Sequence, residues 1–275
     1  MIKSNTLKLN DYNGLRYITF PHFDKTGMIR HAFSTRFGGV SQGIYESMNF
    51  SFTNGDAREN VLENYKRICS AIGVDFRNCV LSFQTHTNNV RTVTDGDKGK
   101  GILFERDYND VDALVTDIPG IVLVLQFADC VPLLFLDPKK RVIASAHAGW
   151  KGTVAKIAEK TVEAMQSGFN CEPSDILVGI APGIMQCCFE VDQPVFEQFE
   201  GLHGINIKDI CVFKGNGKYN IDLQKTNRLI LENAGVRPEN IIVSDLCTKC
   251  SHDIFHSHRA TNGKRGNNAS FICLM

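Results

Sequence analysis

Several features that would place a protein in a specialised class are missing from this sequence. No window approaches about 18 consecutive apolar residues, the length that a membrane-spanning helix requires. The opening stretch, MIKSNTLKLNDYNG, contains no apolar core of a signal peptide. Thirty basic and thirty acidic side chains leave a formal net charge of zero, so the overall charge attracts neither nucleic acid nor an anionic membrane. We therefore expect neither kind of partner.

Signs of a disulfide framework and of domain boundaries are missing as well. The ten cysteines are irregularly spaced in a chain of 275 residues, so we expect a reducing, cytoplasmic environment. No repeat, low-complexity tract or long linker divides the chain, and 43% hydrophobic residues suffice for a substantial core. Apolar stripes predict helices over 58–72, ended by Gly73, and over 223–234, with Asp222 as the N-cap, and 80–90 predicts an extended segment. These and the other buried-type strands and amphipathic helices predict a single α/β domain over residues 1–275. We expect α+β-like layers, with mixed central sheets flanked by helices.

The most informative stretch runs from Ile121 to Gly152. The apolar runs 121–127 and 131–136 predict strands that are covered on both faces. A tight turn follows, and 141–146 predicts the returning strand, which His147 ends. An amphipathic pattern from Thr153 onward then predicts a helix. This order brings Cys130 and His147 to one end of a sheet, beside the N-terminus of that helix.

Three side chains of metal-binding type stand at the ends of predicted strands, namely His86, Cys130 and His147. Two imidazoles and a thiolate are zinc ligands, and three of them leave a fourth position for water or substrate, as in a catalytic site. Each residue alone is more often a packed core residue than a ligand. Spacing alone does not connect His86 to the other two.

The same residues also allow a reaction without metal. In this alternative Cys130 is a nucleophile activated by His147, and Asp129 or another acid orients the imidazole. The N-terminus of the helix expected after Gly152 would favour the thiolate. Asp129 can also serve as a general acid or base, although a turn residue that bonds its own backbone is an equally common role for aspartate.

Basic side chains near this centre are candidates for binding phosphate. Arg36 stands at the entrance of a glycine-rich loop, and Lys151 lies close to the predicted helix N-terminus, where backbone N–H groups favour anions. Arg259, Lys264 and Arg265 form a basic loop near the C-terminus that is long enough to reach a phosphate or nucleotide. Solvated surface charges are the ordinary alternative for each of them.

The C-terminal region holds a second group of potential metal ligands. Cys247 and Cys250 have the Cys-x-x-Cys spacing of half a zinc site, and His252 follows closely. Because no second well-spaced pair is evident, we regard a metal site here as the less favoured interpretation. Cys187 and Cys188 are adjacent, and in an extended segment their side chains would point to opposite faces, so we interpret them as packing residues.

Several ordered motifs together resemble the laccase-domain family, also described as polyphenol oxidase, purine nucleoside phosphorylase or peptidoglycan editing factor. The motifs are His31-Ala-Phe-Ser-Thr-Arg36-Phe-Gly-Gly-Val-Ser-Gln-Gly43, Gln84-Thr-His86, Ala128-Asp-Cys130-Val-Pro132, His147-Ala-Gly-Trp150-Lys-Gly152, Cys247-Thr and Phe255-His-Ser-His-Arg259. The likeness extends from about His31 to the C-terminus. Thr87, Lys151 and His258 depart from the usual family pattern.

The resemblance implies a single zinc ion bound by His86, Cys130 and His147. It also implies phosphate-dependent cleavage of adenosine, inosine or guanosine to base and ribose 1-phosphate, together with deamination of adenosine. On this basis the partners are a purine nucleoside and phosphate. The alternatives are a metal-independent Cys-His hydrolase that edits a peptidoglycan precursor, a copper-dependent polyphenol oxidase, and a non-catalytic interaction protein.

Overall fold

The computed structural model describes residues 3–275 and alternates short strands with helices throughout. The strands are β1 (Lys8–Tyr12), β2 (Leu15–Thr19), β3 (Ile29–Ser34), β4 (Cys79–Leu81), β5 (Val90–Thr92), β6 (Ala113–Thr116), β7 (Val122–Phe127), β8 (Val131–Asp137), β9 (Val142–Ala148), β10 (Leu177–Ile180), β11 (Glu190–Asp192), β12 (Cys211–Gly215), β13 (Lys218–Ile221), β14 (Ile241–Val243) and β15 (Asn268–Leu274). The α-helices are α1 (Pro21–Asp24), α2 (Arg58–Ile72), α3 (Trp150–Val154), α4 (Ile157–Phe169), α5 (Gln193–Glu200), α6 (Ile207–Ile210), α7 (Leu223–Asn233) and α8 (His258–Thr261).

Two mixed six-stranded sheets form the centre of the protein. The first has the order β1-β2-β3-β15-β7-β4, and the second has the order β14-β10-β8-β9-β6-β5. A small sheet, β11-β13-β12, stands apart from them. Most neighbouring strands are antiparallel, whereas β4 with β7, β5 with β6, and β10 with β14 are parallel. The predicted mixed α/β fold is therefore confirmed.

The two large sheets pack face to face, and helices cover their outer faces. Alternate side chains of β7 and β8 fill the space between the sheets: Leu123, Leu125, Phe127, Leu134 and Leu136. The opposite face of β7 packs against α2, and the opposite face of β8 packs in a cluster with α4 and α7. Both faces of these strands are buried, which explains why their sequences are apolar without alternation.

Although β7 and β8 are consecutive strands, they belong to different sheets. The link Ala128–Cys130 carries the chain from one sheet to the other, with Asp129 in the left-handed region at a φ of 84°. The segment 82–89 makes a second crossing, from β4 to β5, so the extended segment predicted over 80–90 is in fact two strands joined by a loop. These two crossings, which apolar patterns do not reveal, lie side by side at the candidate site.

The helix predicted from Thr153 is divided in two. The short α3 begins at Trp150, and α4 begins at Ile157 after Lys156 adopts a left-handed φ of 59°. The bend directs α4 across β9, so the helix beside the site has only five residues. The returning strand is also shifted, because β9 spans Val142–Ala148 and His147 lies inside it rather than after it. By contrast, α2 matches its predicted span of 58–72.

None of the helices formed within residues 3–275 is both long and apolar enough to cross a membrane. All ten cysteines lie in this described part of the chain, and none of them forms a disulfide there.

A buried histidine in β3 of the first sheet should make the stability depend on pH. His31 accepts a hydrogen bond from the amide of Phe20 at 2.7 Å, and burial, aided by the nearby His22, lowers its pKa from 6.5 to about 3. The unfolded chain therefore binds more protons than the folded chain between about pH 6.5 and 3. The stability that neutral His31 contributes is complete above pH 6.5 and is lost as the pH falls. We expect the free energy of unfolding of wild type to fall by up to about 1.4 kcal/mol more per pH unit than that of His31→Gln.

Urea unfolding between pH 7.5 and 4.5 measures this slope. Glutamine retains an acceptor for the Phe20 amide, and His203→Gln at an exposed position serves as the control that should keep the wild-type slope. Equal slopes in wild type and His31→Gln would show that His31 does not titrate as proposed.

Candidate metal centre

The loop over 82–89 presents His86 to the centre, and three successive amides of this loop bond to one carboxylate. The backbone N–H groups of Thr85, His86 and Thr87 donate to the carboxylate of Asp112 at 3.0, 3.1 and 2.9 Å. His86 has a left-handed φ of 67°, which this set of hydrogen bonds stabilises. The loop thus places an exposed imidazole in a defined position.

Cys130 directly follows the corner between the two sheets. Its neighbour Asp129 accepts hydrogen bonds from the Thr248 hydroxyl at 2.7 Å and from the Arg259 amide at 2.7 Å. The Asp129 carbonyl also accepts from the amide of Ile184 at 2.8 Å. Three separate segments are therefore tied to this corner, which positions the thiol of Cys130 at the centre.

The third candidate ligand, His147, lies on β9 and is buried. Its Nδ1 lies 2.8 Å from Oδ1 of Asp112, the same carboxylate that holds the loop with His86. A bond from Nδ1–H to a carboxylate fixes the tautomer and leaves Nε2 free to bind a metal, which is the usual arrangement of a metal-bound histidine. Asp112 therefore orients two of the three candidate ligands.

The three side chains converge on one point. Their ligand atoms all lie within 4.8 Å of one another, and the Sγ atom of Cys130 is 3.8 Å from Nε2 of His86. Tetrahedral zinc with bonds of about 2.0–2.3 Å separates its ligand atoms by roughly 3.3–3.8 Å. Gly149 closes the side of the centre, since a Cβ there would lie 2.7 Å from Cδ2 of His86 and 3.0 Å from the Cys130 sulfur. The donor set and this close approach are compatible with a bound metal.

The electrostatics of the centre favour a thiolate. Burial alone would raise the pKa of Cys130, but the charge and hydrogen bond of His147, with a hydrogen bond from His86, lower it to about 6. Burial would lower the pKa of His147, but Cys130 and Asp112 together raise it to about 9. Burial likewise opposes ionisation of Asp112, yet His147 and the loop amides lower its pKa to about 2. These shifts therefore favour the charged forms of both Cys130 and His147.

A cavity of about 630 Å³ opens above the centre. A cavity of this size suits a small organic ligand, and both aromatic and cationic side chains line it. The lining residues are Phe52, Thr53, Leu81, Ser82, Phe83, Gln84, His86, Gly101, Arg106, Gln126, Ala128, Asp129, Cys130, His147, Trp150, Ile184, Phe189, Leu223, His258, Arg259, Arg265 and Asn267. The cavity therefore contains the three candidate ligands together with Asp129 and Arg259.

Two of the predicted phosphate-binding residues lie elsewhere. Arg36 does not line the cavity, and its guanidinium donates to the carbonyl oxygens of Glu46 and His252 at 2.8 and 2.9 Å. Lys151 is exposed, with its ammonium 5.6 Å from the ring centre of Trp150. Their contact with phosphate stays a prediction. The predicted basic loop is partly helical, because Arg259 lies in α8, and its residues Arg259 and Arg265 line the cavity.

Other cavity and supporting residues were not identified from the sequence. The sequence signal that could have identified Asp112 is its position, because it is an acidic residue directly before a buried strand. Gln126 is the only polar residue in the apolar run 121–127, and its side chain reaches the carbonyl oxygen of Phe50. Arg106 also lines the cavity, but it lies in a polar loop, and nothing in the sequence around it indicates a role in a site.

The C-terminal group of cysteines and histidines does not form one cluster. Cys247 and Cys250 lie with Cys187 and Cys188, whose four sulfurs are within 4.8 Å of one another, whereas the His252 ring is exposed and near the carbonyl of Lys249. The interpretation of Cys187 and Cys188 as packing residues on opposite faces was wrong. The chain turns at this point, with the Cys188 amide bonded to the carbonyl of Met185, so both thiols point the same way.

Comparisons with known proteins agree with the motifs. A family model described as "Multi-copper polyphenol oxidoreductase laccase" matches residues 30–275. The chain is 38% identical to "Purine nucleoside phosphorylase YlmD" of Bacillus subtilis (strain 168), covering 87% of this chain and 86% of that protein. It is 38% identical to "Adenosine deaminase RL5" of an unknown prokaryotic organism, covering 83% and 87%. The crystal structure of hypothetical protein YfiH from Bacillus licheniformis has a TM-score of 0.93 at 33% identity and covers 98% of this chain and 100% of that one.

Proposed function

We propose that this chain, which belongs to the family described as "Multi-copper polyphenol oxidoreductase laccase", is a zinc-dependent purine nucleoside phosphorylase that also deaminates adenosine. The observation that carries the proposal is the three-donor centre at a cavity of small-molecule size. The relatives named purine nucleoside phosphorylase and adenosine deaminase support these two reactions. In this proposal residues 1–275 act as one domain in the cytoplasm, with a nucleoside and phosphate as partners.

We propose that His86, Cys130 and His147 hold the zinc ion. Two imidazoles and a thiolate suit zinc, and three ligands leave a position open toward the cavity. When bound, the ion supplies a Lewis acid, which deamination of a purine ring carbon requires. Asp112 keeps His147 in the metal-binding tautomer, and Gly149 leaves room for the three ligands to approach each other.

The rest of the cavity supports a nucleoside and a phosphate. The rings of Phe83 and Phe189 give the base an aromatic surface. Arg259 and Arg265 are the proposed phosphate ligands, and the buried Nε of Arg265 has no protein partner. In phosphorolysis a phosphate oxygen bonds to the anomeric carbon while the bond to the base breaks, so the cavity must also protonate the departing base.

Asp129 is the proposed proton-transfer residue, because it lies on the cavity wall next to Cys130. Its two oxygens accept from Thr248 and the Arg259 amide, which fixes the carboxylate relative to the basic loop. Arg36 and Lys151 remain proposed contributors to phosphate binding, although neither lines the cavity. Lysine at 151 offers a point charge rather than a bidentate fork.

Metal analysis combined with a product assay tests this function. Wild type with one equivalent of zinc at this centre should release adenine, inosine or hypoxanthine from adenosine and phosphate. Cys130→Ala should lose the metal and at least about 100-fold in rate. Cys211→Ala is the control, because Cys211 lies in neither group of potential ligands described here. A zinc-loaded protein that forms none of these products would disprove the proposal.

One observation favours a second candidate, a cysteine hydrolase without metal. The pKa of Cys130 is lowered and that of His147 is raised, which favours the thiolate–imidazolium pair that such an enzyme uses, and Asp112 lies 2.8 Å from the imidazole that it would orient. This candidate would act on an amide or a peptidoglycan precursor, and full activity after removal of all metal would support it. Copper in the purified protein and oxygen uptake with phenols would instead support a polyphenol oxidase.

A further inference from the structure

A second group of potential ligands lies outside the cavity described above. It consists of Cys187 and Cys188 on one turn and Cys247 and Cys250 on another, and we name it the four-cysteine cluster. None of the four lines the cavity, and none of them takes part in the proposed reaction. Cys247 is buried, Cys188 is partly exposed, and Cys187 and Cys250 are exposed, so an ion has access to the cluster from solvent.

The spacing of the sulfurs matches a tetrahedral metal site. Cys188 and Cys250 are 3.3 Å apart, and Cys187 lies 3.7 Å from each of them. Four thiolates with zinc–sulfur bonds of about 2.3 Å around a tetrahedral ion are separated by roughly 3.8 Å. A disulfide requires about 2.05 Å. The three distances exclude a disulfide, and with all four sulfurs within 4.8 Å of one another they are compatible with ligands that share an ion.

The backbone around the cluster is arranged as in a metal-binding turn. Residues 186–188 form a turn in which the amides of Cys188 and Phe189 both bond to the carbonyl of Met185, and this turn lets two adjacent thiols face the same point. The amide of Met185 donates to the Cys247 sulfur at 3.5 Å, which compensates negative charge on a thiolate. Cys247 also pairs with Gly183 in a parallel bridge that fixes the two turns side by side.

We propose that the four-cysteine cluster binds a structural zinc ion, separate from the ion of the candidate metal centre. Four thiolates fill the coordination sphere and leave no open position, so this ion is structural rather than catalytic. Binding releases the protons of those thiols that are protonated, and the zinc–sulfur bonds replace them.

This ion would stabilise two walls of the cavity. The first turn lies between Ile184 and Phe189, which both line the cavity. The second turn carries Thr248, whose hydroxyl binds Asp129, and it leads to Arg259. A zinc ion that joins the turns therefore holds the walls at a fixed separation without contacting the substrate. Its loss should increase the mobility of the basic loop while the three-ligand centre still binds metal.

Metal counting on the full chain tests the proposal. Wild type that is purified under reducing conditions and loaded with zinc should contain about two zinc ions per chain. The variants Cys250→Ser and Cys188→Ser should each contain about one. His86→Ala should also contain about one, because it loses the other site. Cys211→Ser is the matched control and should keep two. With cobalt(II) in place of zinc, His86→Ala should show a four-thiolate spectrum that the additional change Cys250→Ser removes.

Thiol alkylation gives a measurement that requires no variant. Iodoacetamide should modify Cys187 and Cys250 slowly in the zinc-loaded protein and at least about tenfold faster after chelation, whereas Cys211 should react at the same rate before and after chelation.

A wild-type protein with one zinc ion that His86→Ala abolishes and Cys250→Ser retains would overturn the proposal. So would iron at the cluster, or a Cys188–Cys250 disulfide with no second zinc after reduction. None of these three results depends on nucleoside turnover, so the two proposals fail independently.

Discussion

A Gly149→Ala variant is expected to lose the metal of the three-ligand centre together with more than about 100-fold in activity. The added methyl group would lie 2.7 Å from Cδ2 of His86 and 3.0 Å from the sulfur of Cys130. The backbone of Gly149 has a φ of −67° and a ψ of 170°, which alanine adopts without strain. The effect is therefore a displacement of the ligands rather than a distortion of the chain. Zinc content and adenosine turnover measure it.

Gly168→Ala is the matched control for this change. Gly168 lies in α4, and a Cβ there meets nothing within 4 Å. Alanine in a helix is favoured over glycine by about 0.5–1 kcal/mol, so this variant should be slightly stabilised and fully active. If Gly149→Ala retained its zinc and its turnover, His86 and Cys130 would not lie as close to residue 149 as the structure places them.

Local patterns in the sequence predicted the individual elements well. The stripe of apolar residues over 58–72 ended by Gly73 corresponds to α2, and Gly73 has the left-handed φ of 73° that glycine permits at a helix end. Asp222 caps α7 by accepting from the amide of Lys225, as its position before the helix predicted. Such features depend on residues a few positions apart, and their physical causes are contained in the local sequence.

The arrangement of those elements was not predictable in the same way. A strand buried on both faces is apolar whichever sheet it joins, so the pattern of 121–136 does not reveal that β7 and β8 lie in different sheets. The left-handed conformations of His86, Asp129 and Lys156 redirect the chain at three points where no glycine marks a turn. These residues adopt them because tertiary contacts, such as the amides bonded to Asp112, outweigh the local cost.

The candidate site shows the same division. Residue types pointed to His86, Cys130 and His147, but only the resemblance to a family connected the first with the other two, because 44 residues separate His86 from Cys130. The four-cysteine cluster was missed because its two turns are about 60 positions apart and a turn replaces the expected extended segment. Long-range contacts of this kind depend on the packing of the whole chain.

Asp112 unites the centre, and an Asp112→Asn variant should therefore weaken metal binding by about 10- to 100-fold and reduce activity at least as much. One carboxylate accepts from His147 Nδ1 and from three successive loop amides. An amide side chain has one oxygen, and its NH₂ group would face either the imidazole N–H or the loop N–H groups. The buried, unpaired donors should also lower the free energy of unfolding by about 1–3 kcal/mol.

Asp110→Asn separates this role from a general effect on the loop. Asp110 is exposed and accepts from the Thr85 hydroxyl at 2.8 Å, but it does not contact His147. Zinc affinity measured by competition with a chelator should fall only for Asp112→Asn, and urea unfolding of the metal-free proteins should show the stability loss. The two losses have different origins, because the loop amides need the carboxylate with or without metal, whereas the tautomer of His147 matters only when an ion is bound. An Asp112→Asn protein with reduced stability but wild-type zinc affinity would mean that Asp112 supports the loop without orienting the ligand.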